Sequence, residues 1–181
     1  MKPTKYIALL RGINIGGHNV QMERLRALFV ELGFSNVRTY IQTGNVFFES
    51  AETDAAELTG KIEDHLRAAL GYDVPTFVRT IEQLAETLAA APFDGIELTP
   101  ETRHLIVFIS KSLPADLKLP LLSPKGDYEL IGLTDRAVFV AVHLIKGKFA
   151  SSNFLEQTFG VKTTARFYHT AGKILAAARS E

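Results

Sequence analysis

The chain predicts an α+β fold built on antiparallel sheets. Three observations carry that expectation. Short apolar runs of strand length alternate with amphipathic segments of helical period. The first eighty residues arrange these as βαββαβ, the order of the split βαβ or ferredoxin-like plait. Residues 103–181 repeat the theme imperfectly, without a residue-level repeat. Two ferredoxin-like subdomains are therefore expected, at 1–80 and 103–181. A helix and loop over 81–102 connect them, and the two pack as one unit.

The elements follow in order. Tyr6–Leu10 is a short apolar run, expected as a buried strand. Met22, Leu25, Leu28, Phe29 and Leu32 then recur at three- and four-residue steps. They predict a helix from about Val20, with Asn19 as its N-cap and Gly33 closing it. Strands are expected at Asn36–Gln42 and Asn45–Ser50, with Thr43-Gly44 as a tight hairpin turn between them. Leu58, Ile62, Leu66 and Leu70 place a second helix over Asp54–Leu70, ended by Gly71. Val74–Arg79 is the next strand, with Pro75 marking a strand start or sheet edge. Thr80 and Gln83 stand in capping-box relation at the head of a third helix, which ends near Pro92.

In the second half, His104–Ser110 predicts a strand and Pro114–Leu122 a short helix. Tyr128–Leu133 and Ala137–Leu144 predict two more strands, and Asn153–Phe159 a helical turn closed by Gly160. A last helix is expected over Thr170–Arg179. No final strand is evident after it, so a second plait needs that edge filled by another segment, such as one from the first half.

Composition limits the function classes. The 181 residues are 46% hydrophobic and 22% charged, which suits a globular core and excludes a disordered chain. There is no Cys, so disulfides and thiol chemistry are excluded, and a cytoplasmic location is expected. No uninterrupted apolar stretch can cross a bilayer, and Arg11 interrupts any signal-like run, so no membrane partner is expected. Net charge is zero overall but uneven: +4 over residues 1–48, −8 over 49–143 and +4 over 144–181. Should the two ends meet, they form a basic face suited to a small anion rather than a long nucleic acid.

Three segments carry candidate binding residues. The first is Leu10-Arg11-Gly12-Ile13-Asn14-Ile15-Gly16-Gly17, directly after the first strand. The planar fork of Arg11 matches phosphate or carboxylate, and Gly12, Gly16 and Gly17 permit close backbone approach. The spacing is neither the dinucleotide fingerprint nor a P-loop. Asn14 either orients a ligand or caps the turn. The second segment is the hairpin, with Thr43 and Asn45. In a plait, the start of the third strand lies beside the end of the first, so this hairpin and the glycine loop share an edge. The third is Thr163-Thr164-Ala165-Arg166, read as opening the last helix, where Thr164 and Arg166 could complete an anion site.

Other residues point less far. The histidines at 18, 65, 104, 143 and 169 show no metal-ligand spacing, so no metal and no cofactor are expected. His18 is the best-placed acid–base candidate, and no catalytic residue is assigned. Lys146 and Lys148 flank Gly147 in a basic turn. Ser151 and Ser152 lack a nucleophile elbow.

Leu10–Gly17, Tyr40-Ile41-Gln42-Thr43-Gly44-Asn45-Val46 and Gly160 through Arg166 together resemble the Domain of Unknown Function 1697 family of bacterial proteins. The third segment departs from that family's pattern. Arg166 is followed by Phe167, Tyr168, His169 and Thr170 rather than Asn, Trp, Asn and Thr. Thr43 stands where Ser is usual and Gln21 where Pro is common. The resemblance implies two intertwined ferredoxin-like subdomains and no assigned activity.

The expected function is binding of a small phosphate- or carboxylate-bearing anion at a composite of Arg11, Gly12, Asn14, Gly16, Gly17, Thr43, Asn45, Thr164 and Arg166. The alternatives are single-stranded nucleic-acid binding on the sheet face, which needs exposed aromatics, and a regulatory or dimerising module pairing through a sheet edge.

Overall fold

The computed structural model describes residues 3–149 and 153–180. Ser151 and Ser152 lie outside the described residues. Among the described residues there are five helices and two antiparallel sheets. The chain divides into two compact units. The first takes Met1–Ala85 together with Ile174–Glu181, and the second takes Glu86–Lys173. No helix among the described residues is long and apolar enough to cross a membrane.

In the first unit the order is β1 (Thr4–Leu10), α1 (Met22–Glu31), β2 (Ser35–Thr39), β3 (Asn45–Ser50), α2 (Ala55–Leu70) and β4 (Thr76–Thr80). The strands form one sheet in the order β2-β3-β1-β4, every neighbour antiparallel. Alternation along the strands sends Tyr6, Ala8 and Leu10 of β1, Val46 and Phe48 of β3 and Val78 of β4 to one face. There they join Leu25, Leu28 and Phe29 of α1 and Leu58, Ile62 and Leu66 of α2 in one core. Phe48 stacks on Phe34, with ring centroids 4.5 Å apart. On the opposite face Ile7, Leu9, Phe47 and Phe77 are buried as well.

The helix signals act as expected in α2. Asp54 accepts from the amides of Ala56 and Glu57, and Gly71 closes the helix in the left-handed region. The capping box forms at α3 (Ile81–Ala89): the Thr80 amide donates to Gln83 Oε1, and the Gln83 amide donates to Thr80 Oγ1. Helix α1 differs. It starts at Met22, its N-cap is Gln21 rather than Asn19, and no side chain caps it. Asn14 Oδ1 accepts from the Val20 amide at 2.6 Å and holds that residue in the preceding loop. Strand β2 also ends earlier than expected, at Thr39. The connection to β3 is a five-residue loop, 40–44, closed by the Tyr40 amide donating to the Asn45 carbonyl.

The second unit contains β5 (Thr102–Ile109), β6 (Leu121–Leu122), β7 (Tyr128–Thr134), β8 (Ala137–Ile145), β9 (Lys148–Phe149), α4 (Phe154–Phe159) and β10 (Thr163–Phe167). It is followed by α5 (Tyr168–Arg179), whose residues from Ile174 belong to the first unit. The sheet order is β10-β5-β8-β7-β6, and β9 pairs with β8 through a turn with Lys146 and Gly147 both at positive φ. Val107, Val138, Val140, Leu130, Leu155 and Val161 lie in its core.

Two expectations fail here. The helix over Pro114–Leu122 does not form. Pro120 has no amide to donate and pushes Leu119 out of the helical region, and Leu121–Leu122 pairs with β7 instead. The segment at 163–166 does not open the last helix. It is strand β10, paired with β5, so the edge that was expected to need a segment from elsewhere is filled just before α5.

With β10 in place, the two sheets match position by position. The order β4-β1-β3-β2 in the first corresponds to β10-β5-β8-β7 in the second. Hydrogen bonds repeat too. Leu10 donates to Gly44 and Arg11 to Pro75; Ile109 donates to Arg136 and Ser110 to Lys162. Arg79 stands opposite Ile7, and Arg166 opposite Ile106. Both arginines are buried, and each donates Nη1 to the carbonyl of the preceding residue at 2.8 Å.

Candidate functional site

The end of β1 delivers the chain into the 11–21 loop, and three backbone connections fix that loop to its neighbours. Leu9 stands opposite Asn45 in the register. The Leu10 amide donates to the Gly44 carbonyl at 2.8 Å, and the Arg11 amide donates to the Pro75 carbonyl at 2.9 Å. The glycine loop, the 40–44 loop and the 71–75 loop therefore share one edge of the first unit.

Asn14 ties the first two loops by side chain. Its Nδ2 donates to the Gln42 carbonyl at 2.9 Å and to the Val20 carbonyl at 3.3 Å, while Oδ1 accepts from the Val20 amide. Asn45 does the same for the hairpin. It is fully buried, and its Nδ2 donates to the Tyr40 carbonyl and to Thr43 Oγ1. Gly44 fits between the loops only as glycine: φ is +78°, and an added Cβ would lie 2.7 Å from Ile13 Cγ2 and 2.9 Å from Leu10 Cβ. Both asparagines thus spend their amide groups on loop geometry.

The outer surface of this edge is different. Gly12, Gly16 and Gly17 all have positive φ, with no heavy atom within 4 Å of the Cβ each lacks. Among the described residues their amides have no hydrogen-bond partner. Arg11 and Gly12 are half-buried, while Thr43, Gly16 and Gly17 are exposed. Ile15 and Ile41 are exposed on the two loops that Asn14 joins. Helix α1 begins five residues beyond Gly17, so any anion here meets loop amides and a guanidinium rather than a helix N-terminus.

The structure brings together Arg11, Gly12, Asn14, Gly16, Gly17, Thr43 and Asn45. Thr164 and Arg166 stand on β10 in the second unit. Both are buried, and Arg166 Nη1 donates to Thr164 Oγ1 at 3.0 Å. Burial pulls the Arg166 guanidinium down to a pKa of about 10, which leaves it charged at neutral pH. Sequence reasoning missed the 71–75 loop. His18 of the glycine loop stacks on Tyr72, with ring centroids 3.7 Å apart. The Tyr72 hydroxyl is buried with no hydrogen-bond partner among the described residues, and burial pushes its pKa up. The antiparallel neighbourhood of β1 and β4 was the available signal, because it returns the residues before Thr76 to the end of β1. Among the described residues no three His, Asp or Glu side chains gather to hold a metal.

Comparison with known proteins places this architecture. The family model described as "Protein of unknown function (DUF1697)" matches residues 3–139. The chain belongs to that family. The match takes in the three loops of the first unit and stops short of β10. Among solved structures, this DUF1697 protein is similar to the conserved bacterial protein SP0830 from Streptococcus pneumoniae. The two are 25% identical with a TM-score of 0.75, over 98% of this chain and 99% of that one. No curated protein matches it significantly.

Proposed function

We propose that this DUF1697 protein binds a small phosphate- or carboxylate-bearing anion at the shared loop edge of its first unit. One observation carries the reading: Asn14 locks the glycine loop against the hairpin, while the amides of Gly12, Gly16 and Gly17, in the loop that Arg11 opens, have no hydrogen-bond partner among the described residues. Backbone amides held in place beside a guanidinium are ready-made donors for an anion. Thr43 adds a hydroxyl at the rim. Thr164 and Arg166 are not required. The nucleic-acid alternative draws no support from Phe47 and Phe77, which are buried on the face it would use.

The test is thermal unfolding with and without inorganic phosphate. Wild-type protein should gain stability as phosphate rises through its dissociation constant. Arg11→Ala should fold and lose that gain. A variant that keeps the full phosphate response, or a wild-type protein with none, contradicts the reading.

A further inference from the structure

A cavity lies away from the loop edge, at the opposite end of the same sheet. It has a volume of 520 Å³, within the range of small-molecule sites, and every residue lining it belongs to the first unit. Its walls come from the start of β1, the end of β3, β2, Ile81 and Ala178.

Lys5 and Glu49 are directly opposite in the β1–β3 register, so their side chains leave the same face of the sheet. Both line the cavity. Such a pair commonly closes on itself, yet neither side chain has an ion-pair or hydrogen-bond partner among the described residues. Phe47, two residues along the same face, is buried. Arg38 lies over the Phe47 ring at 5.4 Å and donates to the carbonyls of Ala177 and Ala178 at the end of α5. Those contacts tie Arg38, still charged, to the wall, so Lys5 and Glu49 are the two charges there without a side-chain partner among the described residues, with an apolar surface of Phe47, Ile81 and Ala178 between the walls.

A cation, an anion and an apolar surface in one cavity match a molecule that carries all three complements. We infer that the cavity takes an unblocked amino acid or short peptide. Its carboxylate meets Lys5, its ammonium meets Glu49, and its side chains lie on Phe47, Ile81 and Ala178. A simple anion gains Lys5 but faces the Glu49 carboxylate. A simple cation faces the reverse. Only a zwitterion satisfies both.

The probe is the dipeptide leucyl-leucine, titrated into the full chain by calorimetry against its N-acetyl and C-terminal amide forms. Each blocked form loses one charged contact and should bind about tenfold more weakly than the free dipeptide. Glu49→Gln should remove the preference over the N-acetyl form, and Lys5→Gln the preference over the amide. Arg11→Ala should leave dipeptide binding unchanged, which separates this site from the phosphate edge. Absence of dipeptide binding, or a blocked form binding wild-type protein within about twofold of the free one, overturns the inference. The wild-type comparison stands whether or not either variant folds.

Discussion

Gly44 shows how much of this site is decided by single residues. Gly44 and Gly71 have nearly the same φ, +78° and +82°, yet only Gly44 has neighbours where a Cβ would go. Alanine at Gly71 should cost about 1–2 kcal/mol, the penalty of a left-handed non-glycine residue. Alanine at Gly44 adds overpacking against Ile13 and Leu10, for about 2–4 kcal/mol in all. Urea unfolding of the two variants checks the difference, and equal losses would mean that the two loops are not locked together there. The sequence named Asn14 and Asn45 as candidates and left the role of Asn14 open. Their amide groups are committed to neighbouring backbone, a pairing between residues 28 apart in the case of Asn14 and Gln42. No local pattern reveals such a partner.

At the scale of elements, signals that act within one turn were legible, and those that depend on distant partners were not. The four-residue spacing placed α2 within a residue of its observed start, because its apolar residues lie in the same few turns. Asn19 looked like a cap for α1, but the helix starts at Met22 without a side-chain cap, and Asn14 holds the Val20 amide in the preceding loop from across it. Likewise Thr163–Arg166 carried hydroxyls that suit a helix start, and only pairing with β5 makes it a strand. The capping box at α3 is local and testable. Thr80→Ala removes the acceptor for the Gln83 amide and should cost about 1 kcal/mol in urea unfolding. An unchanged midpoint would show that α3 does not depend on its cap.

Across the whole molecule, the first unit's βαββαβ order was readable because its hydrophobic periods are clean. The second half hides the same strand order. Its counterpart of α1 is replaced by the 110–120 loop and β6, and its last strand looks polar. Stability should also depend on pH through His104. Its ring stacks on Phe93 at 4.4 Å, its Nε2 is buried without a partner among the described residues, and burial lowers its pKa from 6.5. The folded state therefore disfavours the protonated ring. Stability is full above the unfolded value and falls as pH drops below about 6.5. His104→Phe should flatten that decline in thermal unfolding between about pH 7 and 5. Matching profiles for variant and wild type would remove His104 as the cause.

If loop amides beside Arg11 hold an anion, a titration with inorganic phosphate should move their chemical shifts first. The largest, saturating shifts should fall at Gly12, Gly16 and Gly17 and be lost in Arg11→Ala. Saturating shifts confined to another part of the chain, or none at all, would contradict it.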